Sequence, residues 1–468
     1  MNAKKKLLVF CRFYLVPDFR KNVEAIVDEF DVSFLTDGHS PGTEDTRKPF
    51  YTALHARKRC DELSSEIESE VIARCRLLRN INSNKAKDVV HAMALTLASS
   101  LDRIKPMAIL SQMVDDYVTH LLFILAARRS IKVVGYFSAY FPGLVQLTDN
   151  SDGRAFAIRE PSDEDVQAVM LKIGNNLFRQ NYNQNDSYSL GWHAYRVMRY
   201  AVKRILFMGK AIIQRDPYNS HYMQTPFIAE RRRMSDYPRR NYFHDDWRKE
   251  LDKLRANRSG PVYYFPLGYF PEASIDYWVE DRSIIDYEKK VIDILVVLSK
   301  SGLVLVKEHL HMMGARRPKF YQSIKAIAGV VSVYPLEYSN EVLEHSDAVV
   351  IGGGSIGIEA TLRGKPIFTF CHAAYWSRPS RSILLNISEV QFWPEKIREG
   401  LHRFMPMTEK EKLDFIRDCL RTTVRQRDGK SSWPLIESAD LRELLKKAHS
   451  SPKCNGVDDS GPIRLKVK

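Results

Sequence analysis

Two doubly wound α/β domains are predicted for this chain, and three observations predict them. Short buried runs alternate with amphipathic stretches over residues 1–150. The same alternation returns from about residue 261. Between the two lies a polar, basic stretch without clean periodicity. Strands separated by helices imply parallel βαβ units. In such sheets ligands sit beyond the carboxyl ends of the strands.

The elements follow in order. Residues 7–11 read as a first strand, 19–30 as an amphipathic helix and 32–35 as a second strand ending at Asp37. A long polar helical region covers about 53–101. A strand at 107–110 leads into Asp115 and Asp116, then a helix at 117–129 and a strand at 132–137 ending at Ser138. Asp37, Asp115, Asp116 and Ser138 thus fall near a carboxyl-end rim, although each also suits a helix cap or turn. Residues 151–260 form a basic helical insert and linker, with a basic amphipathic helix at 195–215 and a charged linker at 216–257. That helix either lies on an anionic membrane surface or packs its apolar face against one domain.

The second domain, residues 261–405, opens with a strand at 262–265 and a loop through Glu272. Ser283 is expected to cap a helix over 284–300. A buried strand at 303–306 ends at Lys307, Glu308 and His309. A helix at 319–328, a strand at 331–334, a helix from Ser339 and a strand at 348–351 follow. With the short helix and the strand after the glycine turn, this gives five strands and four helices, with Glu272, Lys307, His309, Glu337 and Ser355 gathered on one rim. Residues 406–468 are C-terminal helices and a polar tail. Two such units joined by a linker imply a cleft between them, a common ligand site.

The most informative stretch is Val350-Ile351-Gly352-Gly353-Gly354-Ser355-Ile356-Gly357-Ile358-Glu359, followed by Gly364-Lys365-Pro366. It reads as strand, glycine turn, short helix and second strand. Glycines let a ligand approach the backbone, and a helix start presents N–H groups to an anion. Ser355 and Glu359 share one helix face. A carboxylate there can accept hydrogen bonds from ribose hydroxyls. The spacing does not match the dinucleotide fingerprint. The alternative is a glycine turn that only packs helix on sheet.

Composition excludes several classes. With 44% hydrophobic and 27% charged residues the chain is an ordinary globular protein. It has no apolar run of about 18 residues, so no transmembrane helix is expected. Its basic, apolar start is interrupted by Arg12 and Asp18 and reads as a core strand rather than a signal peptide. Six scattered cysteines give no CxxC pair, so neither a disulfide frame nor a zinc site is expected. The net charge of +14 comes from clusters such as Arg231-Arg232-Arg233, Arg316-Arg317 and a lysine-bearing tail. No nucleic-acid-binding signature accompanies it. A cytoplasmic protein, peripheral on the inner face of the cell membrane, is expected, with no nucleic-acid partner, metal or cofactor.

Three ordered motifs carry a resemblance: FPLGYFPEAS, VKEHLHMMGARRPKFY and YPLEYSNEVLEHSDAVVIGGGSIGIEATLRGKPIFTF. They resemble the bacterial capsule and surface polysaccharide biosynthesis family, which includes the Kdo transferases of capsule export systems. The resemblance covers residues 261–376 and, more weakly, 107–148. It implies a GT-B fold, with two Rossmann-like domains facing across a cleft. It also implies a nucleotide-sugar donor, CMP- or UDP-linked, in the second domain. A capsular polysaccharide or glycolipid acceptor would lie against the first. Glu272, Lys307, His309, Gly357 and Glu359 keep the family pattern. Gly268, Phe270, Leu310 and the pair Ser355-Ile356 depart from it.

In that reading Lys307, Gly354, Ser355, Gly357 and Glu359 hold the nucleotide, and Glu272 and Arg316 touch substrate. His309 is catalytic beside Lys307, and Asp115 and Asp116 are the candidate bases, with Asp37 behind them. A UDP-sugar 2-epimerase and a non-catalytic polysaccharide-assembly protein are the rival readings.

Overall fold

The computed structural model describes residues 4–148, 155, 157–174, 189–224, 232–244, 246–371 and 382–450. Arg231, Cys454, the tail lysines and the last residues of the 261–376 match lie outside the described residues. The chain is α/β, with two sheets rich in parallel pairs and flanked by helices. It divides into two compact units. One contains residues 1–169, 211–224 and 416–468; the other contains 170–210 and 225–415.

The first unit is built on strands β1 (Lys5–Cys11), β2 (Phe30–Thr36), β3 (Glu44–Asp45), β4 (Ala108–Ser111), β5 (Lys132–Ser138) and β6 (Leu144–Thr148). Its seven-stranded sheet runs Thr423–Arg425, β6, β5, β4, β1, β2, β3. The pairs from β5 through β3 are parallel, while β6 pairs antiparallel with β5 and with Thr423–Arg425. The order reverses direction between β1 and β4, the switch point where loops splay apart and leave a crevice. β1 is central and buried on both faces, so Leu7, Val9 and Cys11 read as a continuous apolar run. The helix Ser438–Ser450 packs Leu441, Leu444 and Leu445 into the same core.

The second unit has strands β7 (Val262–Pro266), β8 (Leu303–Lys307), β9 (Val330–Val333), β10 (Ala348–Ile351), β11 (Ile367–Thr369) and β12 (Ser382–Leu384). The order is β12, β11, β10, β7, β8, β9, and every pair is parallel. By position this is the 3-2-1-4-5-6 order of a complete Rossmann sheet, with its switch point between β7 and β10. Because the strands are parallel, all their carboxyl ends lie at one edge. That edge carries the loop after β7, Lys307 after β8 and the glycine turn after β10.

Several sequence expectations shift. Ser283 does not cap the long helix. Asp281 caps a 3-10 turn at Arg282–Ile285, and the helix runs Tyr287–Ser301. The polar region at 53–101 resolves into the helices Arg47–His55, Ser65–Arg74 and Ser83–Ile104. The segment read as a charged linker contains the helix Trp247–Asn257, whose buried Trp247 donates its indole N–H to Glu337.

Candidate functional site

The rim of the second unit is assembled loop by loop. After β7, the backbone N–H of Leu267 still bonds the Lys307 carbonyl at 2.9 Å, so the first two loops leave the sheet together. The Gly268 carbonyl accepts from Arg316, which crosses from the loop after β8. Arg316 is buried. Its Nε donates to Glu308 at 2.6 Å, and its guanidinium lies over the rings of Tyr287 and Phe320. Glu308 also accepts from Tyr321 at 3.0 Å and from the His309 backbone N–H at 2.7 Å. Arg316 was expected at the substrate; its place is beneath the rim, where it pins the two loops to each other. Glu308, its partner, was not singled out by sequence reasoning, although it stands between Lys307 and His309.

Lys307 ends β8 and is buried. Burial pulls its ammonium down to about 8, against the opposing pull of Glu308 and Glu337. It therefore stays charged at neutral pH, with no ion pair among the described residues. Burial also pushes the His309 imidazole down to about 3, helped by the charges of His311, Lys307 and Arg316. His309 is neutral at pH 7. Its Nδ1 accepts from the His311 backbone N–H at 3.3 Å, which leaves the proton on Nε2. The ring offers one neutral N–H. Tyr269 stands 5.6 Å from it, ring centre to ring centre.

Glu272 caps the short helix Ala273–Asp276 and accepts from the N–H and hydroxyl of Ser274. One of its oxygens is committed to the backbone. Glu337 is similarly occupied by Trp247, Arg248 and the Tyr338 N–H.

The glycine turn divides by role. A Cβ on Gly352 would meet the Phe370 ring at 2.6 Å, so this glycine allows helix-on-sheet packing. A Cβ on Gly353 or Gly354 would meet nothing within 4 Å, so these two border open space. Gly354 also holds φ at +122°, which side-chain-bearing residues rarely adopt. Ser355 opens the helix Ile356–Leu362 with no side-chain cap bond. The Gly357 and Ile358 N–H groups bond the Gly354 and Ser355 carbonyls at 3.3 and 3.0 Å, so the N–H groups without a helical partner are those of Ser355 and Ile356. Glu359, one turn in, is mostly buried, and burial raises its carboxyl against Arg363 at 3.9 Å and a hydrogen bond from Asn340. Gly357 is buried within this helix.

In the first unit the switch point carries an ion cluster. Arg12, just after β1, reaches Asp115 at 2.7 Å and Asp116 at 3.4 Å after β4. Asp116 caps the helix Tyr117–Arg128 through Thr119 in a reciprocal capping box and is buried. Asp115 is the more accessible of the pair, with its side chain about a third exposed. Asp37 sits after β2 with one oxygen on the Phe13 N–H at 3.0 Å and the other, Oδ2, without a hydrogen-bond partner. Burial and the nearby charges of Asp116 and Asp216 push its carboxyl up to about 7, against the pull of Arg12 and the Phe13 N–H. Asp37, Asp216, Arg47 and Ser220 line a small pocket. Asp216 is fixed there by Tyr51 at 2.8 Å and Asn219 at 3.0 Å. Asp216 lay in the segment read as a linker, and an isolated Asp in a polar run gives no signal.

A buried carboxyl with a raised pKa binds more protons folded than unfolded between about pH 4 and 7, so folding weakens as pH rises through that window. Asp37→Asn keeps the acceptor for Phe13 and never ionises. It is expected to melt close to wild type at pH 4 and roughly 2–4 °C or more above it at pH 8, about 1 kcal/mol for a unit of this size. Melting curves at the two pH values check this; an equal offset at both removes the raised carboxyl.

No metal-binding group of His, Cys, Asp or Glu exists among the described residues. No family model matches the chain, and no curated protein matches it. Among solved structures it is similar to KpsC, a beta Kdo 2,7 transferase of Thermosulfurimonas dismutans. That match has 11% identity over 94% of this chain and 98% of that one, with a TM-score of 0.33. It is also similar to a UDP-GlcNAc 2-epimerase of Neisseria meningitidis bound to UDP-GlcNAc, at 11% identity over 89% and 98%, TM-score 0.28. A glycosyltransferase of Rickettsia africae matches at 10% identity over 96% and 97%, TM-score 0.28. All three are sugar-transferring or sugar-epimerising enzymes. With TM-scores below 0.5, these likenesses decide neither the fold nor the reaction.

Proposed function

We propose that the protein is a glycosyltransferase that moves a sugar from a CMP- or UDP-linked donor to a surface polysaccharide or glycolipid acceptor. The observation that carries this is the carboxyl-end rim of the second unit. At the switch point a glycine turn borders open space, with a buried carboxylate one turn inside the following helix. Two strands away, across β7, stands the Lys307 ammonium, with no ion pair among the described residues. The three-motif resemblance supports the same reading.

Glu359 accepts the ribose hydroxyls, and the Gly353–Ser355 backbone takes the phosphate. As the glycosidic bond breaks, negative charge gathers on the departing phosphate. Lys307 and the N–H groups at the Ser355 helix start stabilise it. His309 adds a neutral N–H from Nε2. The acceptor hydroxyl must lose a proton, which a carboxylate can take. Asp115 is the accessible carboxylate of its ion cluster, and Asp37 is the carboxyl nearest neutrality.

Glu359→Ala is expected to weaken nucleotide binding by about tenfold to a hundredfold, as loss of charge-assisted hydrogen bonds does. Its melting curve should be unchanged. Turnover decides the reaction. Donor consumed only with acceptor supports transfer. Donor converted without acceptor makes the protein an epimerase. Neither, with nucleotide bound, makes it a non-catalytic assembly protein.

A further inference from the structure

The helix Leu190–Ile213 has 24 residues and is about 36 Å long. Its inner edge is anchored. His193 is fully buried and its Nε2 bonds the Arg233 carbonyl at 2.9 Å. Arg196 reaches the His311 carbonyl at 3.4 Å, and Arg232 reaches the same carbonyl at 2.6 Å while lying over the Tyr200 ring. The helix is thereby tied to the loop that carries His309.

Its outer edge is not covered by the described residues. Tyr195, Met198, Val202, Ile205, Leu206 and Ile212 are each at least half exposed, Ile205 at 71%. At 100° per residue these positions fall within about 120° of arc, a single apolar stripe. A folded protein rarely leaves such a contiguous stripe to water. Its cations are Arg196, Arg199, Lys203, Arg204 and Lys210, and it contains no Asp or Glu. Arg199, Lys203 and Lys210 border the stripe on one side. The ammonium groups of Lys203 and Lys210 lie over the Phe207 ring at 5.3 and 6.0 Å. No helix among the described residues is long and apolar enough to cross a membrane.

We propose that this helix is the membrane-docking surface of the protein. It lies flat in the interface of an anionic lipid bilayer, with its apolar stripe among the acyl chains and its lysines and arginines at the headgroups. Charge decides between occupants. A second copy would bring the same cations against each other, whereas anionic headgroups complement them. The proposal does not rest on the glycosyltransferase reading, because docking needs no turnover.

The test is co-sedimentation of the full chain with vesicles. Vesicles of phosphatidylcholine with about one-third phosphatidylglycerol should retain the protein at low salt. Pure phosphatidylcholine should retain at least about fivefold less, and added salt should release part of the bound protein. Val202→Glu with Ile205→Glu, at exposed positions, should cut binding to anionic vesicles about tenfold without lowering the melting temperature. Lys203→Glu with Lys210→Glu should do the same. The proposal fails if wild type does not sediment with anionic vesicles, or if both variants bind like wild type. It fails equally if the stripe variants abolish only a concentration-dependent dimer.

Discussion

Arg316→Ala is expected to destabilise the second unit by about 3–5 kcal/mol, the usual cost of stripping one partner from a buried ion pair. Both side chains are about 1% exposed. Removing the guanidinium leaves Glu308 charged and buried. It also removes the donor to the Gly268 carbonyl and the cation over Tyr287 and Phe320. For a unit of this size the melting transition should fall on the order of 10 °C. The ion pair itself is weak evidence of stability, so the double variant Glu308→Gln with Arg316→Met should recover most of the loss. Thermal melts of the three proteins check this. An Arg316→Ala protein that melts with wild type would mean that the pair does not hold the rim.

Lys307→Met should separate stability from function. The ammonium is desolvated, so replacing it by a thioether of similar length should leave the melting temperature unchanged or raise it. Turnover should fall by about 10²–10³-fold, the range seen when one preorganised donor to a developing oxyanion is lost. The loss should appear in kcat more than in KM, since the charge matters most as the phosphate leaves. On the proposed function, the wild-type protein should also lose activity above about pH 8, where Lys307 gives up its proton. The alkaline limb should be absent from whatever activity Lys307→Met retains. A variant that turns over normally would return Lys307 to a structural role.

Much of the second unit was legible because its signals are local. Residues 303–306 and 348–351 are short apolar runs, as strands buried on both faces must be. The glycine turn announced itself because only glycine tolerates both the approach of Phe370 to Gly352 and the positive φ of Gly354. What was not legible depends on distant chain. Thr423–Arg425 completes the first sheet against β6 from nearly three hundred residues away, and nothing within three residues predicts such a pairing. Asp216 joins Tyr51 from 165 residues away. The neutrality of His309 is not legible either, because burial, not residue type, sets it. Nor is the place of Arg316. An Arg-Arg pair in a polar loop resembles an exposed anion site, and only the fold reveals that Glu308 and two aromatic rings enclose it.

The most direct measurement is a calorimetric titration of the full chain with CMP, CDP, UDP and GDP, repeated on Glu359→Ala. The account predicts that a cytidine or uridine nucleotide binds with one site per chain and that Glu359→Ala loses at least about tenfold of that affinity. Absence of binding by all four, or binding that Glu359→Ala leaves unchanged, would contradict a nucleotide site at the glycine turn.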